Sequence, residues 1–294
     1  MSVAFLPYGQ PRKHFCNLGS ILFDDVEWPL NDRPEGHRLA DLRPTDHILV
    51  VASSRVLTIR KKSLACPLSV LICEPPAIQR RLYTAIRWRP GVFRYVMTHN
   101  TGILQSVGNA HFVAHGGSMI GEIEQPVIPK THRVSMIASD KKSTTGHRLR
   151  HAIAEWALQC GTDFHALGRG YRPLEEKADG HNPYFFAVVI ENSREPGYFT
   201  EKLIDSFLCH SIPIYWGAPD IEHFFDPRGM INCSSPEEIK GAVANLTANH
   251  YRERAPFLAH NREIAMRYID LFGRAARRVH DLDTTSCAGL SAAP

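Results

Sequence analysis

Residues 188–217 read VVIENSREPGYFTEKLIDSFLCHSIPIYWG, and this stretch decides the fold class of the chain. Two apolar runs, VVI and IPIYWG, flank a polar loop and the helical pattern TEKLIDSFLC. Short apolar runs are typical of buried parallel strands, and strands that alternate with helices indicate a parallel α/β sheet. The stretch therefore predicts a strand, a helix that begins near Thr200 and a second strand, with polar residues at their junction.

Such a junction is where an open parallel sheet binds its ligands, because loops at the carboxyl ends of strands lead into helix N-termini. Lys202 lies in the first turn of the predicted helix, where the helix dipole favours an acid. A diphosphate held by Lys202 and the free N–H groups of the helix would explain this position. Glu201 can accept hydrogen bonds from the two hydroxyls of a ribose. Two interpretations remain at this point: a solvated connecting loop, or a site for a phosphate-bearing ligand.

The same alternation of strands and helices recurs on both sides of a segment with Gly and Pro at its ends, residues 116–132. A chain of 294 residues is long enough for two domains, each with its own core. We therefore predict an α/β protein with two Rossmann-like domains facing a central cleft, each built on a doubly wound parallel sheet. The predicted domains are residues 1–125 and 126–280, followed by a disordered tail over 281–294.

The composition, 44% hydrophobic and 22% charged, is that of a soluble globular protein, and no run of about eighteen apolar residues could span a bilayer. A net charge of +4 without a concentrated basic face argues against nucleic-acid binding. The seven cysteines are odd in number and never spaced as CxxC, which favours free thiols in the cytoplasm. The basic segment GRAARRVH, 273–280, indicates either a solvated helix end or a weak peripheral contact with the inner face of the cell membrane.

A helix predicted over 146–160 contains further candidate residues. Arg150, near its start, can clamp a phosphate with its guanidinium group. His147, His151 and Glu155 recur on one face of the same helix, in a pattern that superficially resembles a metal site. No second cluster of ligands with suitable spacing accompanies them, so no metal is predicted.

Glu74 follows the apolar run LSVLIC, which places a carboxylate at the carboxyl end of a predicted strand. An acid that is partly shielded from water can have the raised pKa that suits a general base. The alternative is an acid that only ends the strand.

The stretch YFFAVVIENSREPGYFTEKLIDSFLCHSIPIYWGAP, 184–219, resembles the signature of the family 10 glycosyltransferases, the GDP-fucose-dependent α-1,3/4-fucosyltransferases. ASDKKSTTGHRLRHAI, 138–153, is similar to a second segment of that family, with Arg150 at the arginine position. The resemblance extends from about residue 134 to about residue 235. It implies a GT-B-like fold in which the second domain binds the donor, and an inverting transfer of fucose to a glycan hydroxyl without a metal or another cofactor.

By this resemblance, Lys202 and Arg150 would neutralise the diphosphate of GDP-fucose. Glu201 would hold the ribose. Tyr198 and Asn192 would line the donor pocket near the phosphates and the sugar.

The resemblance assigns two further roles. Glu191 would orient neighbouring groups of the loop. Glu74 would be the general base that deprotonates the acceptor hydroxyl, and its surroundings, CEPP, differ from the glycine-acid-asparagine pattern of the family.

No membrane anchor is recognised in the sequence, which makes the chain similar to the bacterial members of the family that act in the cytoplasm. The resemblance thus implies a role in the synthesis of surface polysaccharide or lipopolysaccharide. Two alternatives remain: an enzyme of the same fold that uses another nucleotide sugar, and a catalytically inactive homologue that binds a nucleotide or a glycan.

Overall fold

The computed structural model describes most of the chain, in the ranges 1–7, 16–53, 59, 64–121 and 128–290, with side chains as far as residue 285. The described strands are β1 (Val3–Leu6), β2 (His47–Val51), β3 (Leu68–Ile72), β4 (Val96–Thr98), β5 (Ala110–Phe112), β6 (His132–Ile137), β7 (Phe164–Leu167), β8 (Tyr184–Ile190), β9 (Ile212–Trp216) and β10 (Ile231–Asn232). The α-helices are α1 (Pro76–Trp88), α2 (Thr101–Ser106), α3 (Thr145–Gln159), α4 (Glu201–Leu208), α5 (Pro236–Asn245), α6 (Ala248–Met266) and α7 (Leu271–Leu290).

These elements form two units that differ from the predicted domains. The first unit joins Met1–Val113 to the C-terminal segment from Leu271, and the second unit is Ala114–Asp270. The predicted boundary between residues 125 and 126 falls within 122–127, outside the residues that the structure describes. The chain therefore returns to the first unit at its C-terminal end, which a division into consecutive domains does not include.

The first unit contains a parallel sheet in which β1 to β5 follow one another in chain order. Adjacent strands pair in parallel, for example with Val3 opposite His47 and Ile48 opposite Leu68. Each successive strand is thus added to the same side of the sheet. This order differs from the doubly wound order expected from the alternation of strands and helices. Alternation indicates crossover connections, but it contains no information about the side on which each new strand is added.

Successive side chains of a strand point to opposite faces of the sheet. Different helices therefore pack against the two faces of this sheet. Helices α1 and α2 pack on one face, in a cluster that includes Val50, Val70 and Leu82. Helix α7 covers the other face, where the ring of Phe272 stacks on the ring of Phe5 with 4.1 Å between centroids. The C-terminal helix is therefore part of the core of the first unit.

Residues 281–285, which were predicted to begin a disordered tail, belong to α7. The carboxylate of Asp283 accepts a hydrogen bond from the hydroxyl of Tyr95 (2.6 Å) and lies 3.1 Å from Nδ1 of His47. Nε2 of His47 in turn lies 2.7 Å from Oγ of Ser69. This polar network holds the last turns of the described helix against β2, β3 and the start of β4, and its partners are too distant in sequence for a local pattern to show them.

The second unit contains a parallel sheet of order β10-β9-β8-β6-β7. From β6 the chain moves first to β7 at the edge and then to β8 on the other side of β6, so the strand order reverses between β6 and β8. This arrangement is the doubly wound topology that was predicted. Among the helices that the structure describes, none is both long and apolar enough to cross a membrane.

The stretch 188–217 has the predicted structure: the end of β8, then α4, then β9. The side chain of Thr200 caps α4 by accepting a hydrogen bond from the N–H of Lys202. The apolar side of α4 includes Leu203 and Phe207, which are fully buried against the sheet together with Phe186 of β8. Burial of each such side chain stabilises the fold by about 1.5–3 kcal/mol, so this packing fixes the position of the helix start.

Candidate functional site

The reversal between β6 and β8 marks the place, outside the carboxyl ends of the strands, where open α/β sheets bind ligands. Helix α3 follows β6 and helix α4 follows β8. The N–H of Gly146, in the first turn of α3, donates to the carbonyl oxygen of Asn192 just beyond β8 (3.2 Å). The N–H of Thr200, at the start of α4, donates to the carboxylate of Glu191 (2.8 Å). Two helix N-termini therefore converge on the loop that follows β8.

Gly146 makes this convergence possible. A Cβ atom at this position would overlap the carbonyl oxygen of Glu191 and would lie 3.0 Å from the Cα of Asn192. Because both groups belong to the backbone, no side chain can move aside to make room. Gly146 was not among the predicted site residues, since its close approach to the backbone depends on the packing of α3 against β8.

Glu191 is completely buried and fixes the start of α4. Its Oε1 accepts the N–H of Thr200, and its Oε2 accepts the hydroxyl of the same residue (2.7 Å). Burial raises the pKa of Glu191, while the ammonium of Lys202, 3.9 Å from Oε2, opposes the shift. Thr200 was not among the predicted site residues, although a Thr before a helical pattern is a recognisable N-cap signal.

Arg150 joins α3 to the end of β8. Its side chain is buried, Nε donates to the carbonyl oxygen of Ile190 (2.8 Å), and one terminal nitrogen donates to Oδ1 of Asn192 (2.9 Å). Burial lowers the pKa of Arg150, and the nearby carboxylate of Glu191 opposes that shift. An arginine remains protonated in either case, so a fixed cation lies beneath the loop.

Lys202 and Glu201 form an ion pair in the first turn of α4, with 2.8 Å between Nζ and Oε1. Burial favours the neutral amine, but the carboxylates of Glu201 and Glu191 outweigh burial and raise the pKa of Lys202 above its ordinary value. Burial would likewise raise the pKa of Glu201, but Lys202 and Lys177 outweigh it and hold that pKa below its ordinary value. Both groups are therefore charged at neutral pH, and about a quarter of the Lys202 side chain reaches the surface.

Lys177 adds a further charge beside the ion pair of Glu201 and Lys202. It was not among the predicted site residues. Its ammonium lies 2.8 Å from the buried carboxylate of Asp205 and 4.0 Å from that of Glu201. Nothing in the local sequence of Lys177 indicates this position, because the residue approaches α4 from a segment more than twenty positions away.

Tyr198 is almost completely buried. Its ring meets the ring of His115 edge to face, with 6.1 Å between centroids, and its carbonyl oxygen accepts a hydrogen bond from the hydroxyl of Tyr215 (3.4 Å). Tyr198 thus lies directly before the start of α4 and packs into the second unit.

The histidines of the metal-like pattern on α3 have other partners. The N–H of Thr144 donates to Nδ1 of His147, which completes the cap of α3. Burial and the neighbouring charge of Arg150 lower the pKa of His147 to about 4, so its ring is neutral at pH 7. The ring of His151 hydrogen-bonds the hydroxyl of Tyr171 and the carbonyl oxygen of Lys141. These contacts agree with the interpretation of the pattern as structural.

A pocket of about 230 Å³ opens at the carboxyl ends of β9 and β10. Its polar lining includes Arg194, Asn232, Ser234 and Glu238. The pocket lies on the same edge of the sheet as the cluster around Glu191, but its lining includes none of the six predicted donor-site residues.

Glu74, the predicted base, belongs to the first unit. It lies two residues beyond the end of β3, is half-buried, and its carbonyl oxygen accepts the hydroxyl of Tyr83 (2.9 Å). The structure thus places Glu74 at the carboxyl end of a strand, as the sequence indicates. The six predicted donor-site residues, in contrast, all lie in the second unit.

Residues 129–261 match the family model for the C-terminal domain of glycosyltransferase family 10 (fucosyltransferase). This match supports the predicted resemblance to the family 10 glycosyltransferases. The matched region includes Arg150, Glu191 and Lys202, together with both helix N-termini of the candidate site.

Two proteins with similar sequences are fucosyltransferases or putative fucosyltransferases. The α-(1,3)-fucosyltransferase FucT of Helicobacter pylori is 33% identical over 86 residues, which are 29% of this chain and 18% of that protein. The putative fucosyltransferase R654 of Acanthamoeba polyphaga mimivirus is 51% identical over 72 residues, 24% of this chain and 12% of that protein. The matched region therefore spans less than a fifth of either relative.

Solved structures share the fold of this protein over most of its length. A crystal structure of an α1,3-fucosyltransferase with GDP has a TM-score of 0.50 at 15% identity, over 86% of this chain and 80% of that one. The structure of Anabaena HepE in complex with UDP-glucose has a TM-score of 0.58 at 12% identity, over 81% and 78% of the two chains. These likenesses confirm the predicted GT-B-like α/β fold.

Proposed function

We propose that this protein is an inverting glycosyltransferase that moves fucose from GDP-fucose to a hydroxyl group of a glycan. One observation supports the proposal above the others. In the region that matches the family 10 model, the topological switch point brings together two helix N-termini, a buried arginine and a partly exposed lysine. These groups are suited to a diphosphate, which is the leaving group of a nucleotide sugar.

The proposed diphosphate site depends on more than the two cations. Glu191 and Glu201 already balance the charges of Arg150 and Lys202. The additional attraction for phosphate comes from the positive dipole ends of α3 and α4. Lys202 has three N–H donors, so it can bond a phosphate oxygen while it keeps its contact with Glu201.

The remaining donor contacts follow from the same placement. Glu201 is a carboxylate at the rim of the site and can accept hydrogen bonds from the ribose hydroxyls. Asn192, which Arg150 holds in place, and Tyr198, which precedes α4, are assigned to the part of the site near the phosphates and the sugar. Glu191 is assigned the orientation of Thr200 and the start of α4.

In the proposed reaction the oxygen of the acceptor hydroxyl attacks the anomeric carbon of fucose. The bond from that carbon to the β-phosphate oxygen breaks on the opposite side, and its electron pair leaves with GDP. Glu74 takes the proton of the hydroxyl. Arg150, Lys202 and the helix ends stabilise the charge that develops on the leaving phosphate, and the proposal requires no metal ion for that purpose.

The proposed acceptor is a precursor of surface polysaccharide or lipopolysaccharide, handled in the cytoplasm. The resemblance to bacterial family members motivates this part of the proposal. Among the described side chains, Cys66, Cys209 and Cys233 are buried free thiols, as expected in a reducing compartment.

The test is GDP binding measured by calorimetry for the wild type, Lys202→Ala and Lys240→Ala. Loss of one charge-assisted hydrogen bond, worth about 1.5–3 kcal/mol, should weaken GDP binding about tenfold or more in Lys202→Ala. Lys240 lies on α5 over the ring of Trp156, so its replacement should leave GDP binding unchanged.

Two results would contradict the proposal: no binding of GDP by the wild-type protein, or equal binding by Lys202→Ala. Titration with UDP and UDP-glucose is the second arm, and preference for either would favour the alternative donor. Release of GDP from GDP-fucose only when a glycan is present would separate a transferase from an inactive binding protein.

A further inference from the structure

Three potential metal ligands meet at the amino end of the second sheet. His132 begins β6, Asp163 directly precedes β7, and His165 is the second residue of β7. One nitrogen of each imidazole and one carboxylate oxygen all lie within 4.8 Å of one another. Because the candidate donor site lies at the carboxyl ends of these parallel strands, the cluster is at the opposite edge of the same sheet.

The cluster is oriented by neighbours on two sides. Nδ1 of His165 hydrogen-bonds the hydroxyl of Tyr184 (2.7 Å), so Nε2 faces Asp163, 3.8 Å from Oδ1. The other oxygen of Asp163 accepts the backbone N–H of Arg133 (2.9 Å). Metal-binding histidines and carboxylates are held in the same way, by a hydrogen bond on the atom that does not bind the metal.

The spacing requires only small side-chain movements. A tetrahedral zinc ion with bonds of about 2.0–2.1 Å needs ligand atoms roughly 3.3 Å apart. The rings of His132 and His165 have centroids 4.7 Å apart and are tilted by 56°. Asp163 is exposed and the two histidines are half-buried, so their side chains can rotate towards a common centre while water fills the fourth position.

The charges around the cluster act on a bound cation in opposite directions. Asp163 attracts a cation, whereas Arg172, which faces His165 and Tyr184, repels it. These opposing charges favour binding with moderate affinity.

We propose that His132, Asp163 and His165 bind one zinc ion, which links β6 to β7 at the amino end of the sheet. Two imidazoles and a carboxylate suit zinc, and the same donors also accept cobalt, nickel and copper. The zinc site is separate from the proposed donor site, because it lies at the opposite edge of the sheet. It was missed in the sequence because Asp163 and His165 are some thirty positions from His132, and only the register of β6 and β7 brings them together.

The experiment uses tag-free protein in calorimetric titrations with zinc chloride at pH 7.5. The wild type should bind one zinc ion per chain with a micromolar Kd. Asp163→Asn keeps an oxygen for the N–H of Arg133 but loses the charge, and His165→Gln loses the imidazole. Each should weaken zinc binding about tenfold or more. His260→Gln, which removes an exposed imidazole on α6, is the matched control and should bind zinc as the wild type does.

Two further measurements keep the proposal falsifiable. Cobalt should give the intense visible bands of a tetrahedral complex in the wild type and lose them in His165→Gln. Circular dichroism of each variant without metal reports whether it is folded. Absence of stoichiometric zinc binding in the wild type would overturn the proposal. Equal zinc affinity in a folded Asp163→Asn or His165→Gln protein would overturn it too, because the ion would then occupy another place, such as the exposed Cys16 or Cys160.

Discussion

The buried carboxylate of Glu191 explains, for a single residue, how the candidate site is held together. An ionised acid without partners in a protein interior would cost several kcal/mol. Glu191 avoids that cost because Thr200 donates two hydrogen bonds to it and Lys202 lies 3.9 Å away. The same contacts fix the first turn of α4, so the residue that needs partners also positions the proposed phosphate site.

Glu74→Gln tests the proposed base. Loss of a general base should lower kcat about 10²–10⁴-fold with GDP-fucose and an acceptor glycan, while GDP binding stays unchanged. Glu35→Gln, which changes an exposed acid of the first unit, is the control and should keep full activity. Near-normal turnover by Glu74→Gln would remove Glu74 from this role and support the interpretation of an acid that only ends the strand.

For individual residues, the sequence indicated charged groups better than it indicated their partners. Arg150 was predicted to clamp a phosphate, and the structure shows that two of its N–H groups already bond Ile190 and Asn192. Lys202 was recognised because a lysine is unfavourable in a first turn, a rule that depends on local sequence alone. Lys177 was missed because its contact with Asp205 requires the tertiary fold.

At the scale of elements, the contact between the start of α3 and the end of β8 leaves no room for a side chain at Gly146. Local periodicity predicted the helix at 146–160, and the structure places it at Thr145–Gln159. The strand-helix-strand order of β8, α4 and β9 was also predicted, because their apolar runs and caps lie within one continuous stretch. Sequence periodicity shows which side of a helix is apolar, but not how closely its first turn approaches a neighbouring strand.

The variant Gly146→Ala tests how closely the first turn of α3 approaches the end of β8. The added methyl group would overlap the backbone of Glu191 and Asn192, so we expect a loss of about 1–3 kcal/mol in the free energy of unfolding and weaker GDP binding. Urea denaturation and calorimetry are the measurements. The matched control is Gly241→Ala in α5, where a Cβ meets nothing within 4 Å and should stabilise the helix by up to about 1 kcal/mol. A Gly146→Ala protein as stable as the wild type would show that α3 can move away from β8 at no cost.

For the whole molecule, the C-terminal helix completes the first unit. The sheet β1 to β5 grows in one direction, and α7 covers the face that α1 and α2 leave uncovered. Its basic side chains Arg277 and Arg278 are exposed, while Ala275 and Val279 are buried against the sheet. The basic segment therefore belongs to a packed helix with a solvated side, and membrane contact stays a proposal.

Asp283→Ala tests the attachment of α7. Removal of the carboxylate leaves Tyr95 and His47 without this partner, which should cost about 1–3 kcal/mol in urea denaturation. Asp281→Ala, on the same helix but exposed, should change stability little. A variant as stable as the wild type would show that the network contributes nothing to the fold.

The pH dependence of that difference has a definite sign. Burial favours the neutral acid, but the hydrogen bonds from His47 and Tyr95 outweigh burial and hold the pKa of Asp283 below its ordinary value. A group with a lowered pKa contributes its stability above the unfolded pKa, near 4, and loses it as the pH falls through the folded pKa. The wild type and Asp283→Ala should therefore differ most near neutral pH and converge in acid.

The sequence by itself determined the α/β class, the strand-helix-strand structure of 188–217 and the resemblance of the second unit to the family 10 glycosyltransferases, because each depends on residues that are neighbours in the chain. The tertiary structure alone decided that α7 packs on the first sheet and that Gly146 contacts the end of β8. It also decided that His132 meets Asp163 and His165. These contacts join residues that are far apart in sequence, and local propensity and periodicity contain no information about which distant segments pair. Residues 188–217 thus determined their own secondary structure, while the packing of other segments around them decided the geometry of the proposed site.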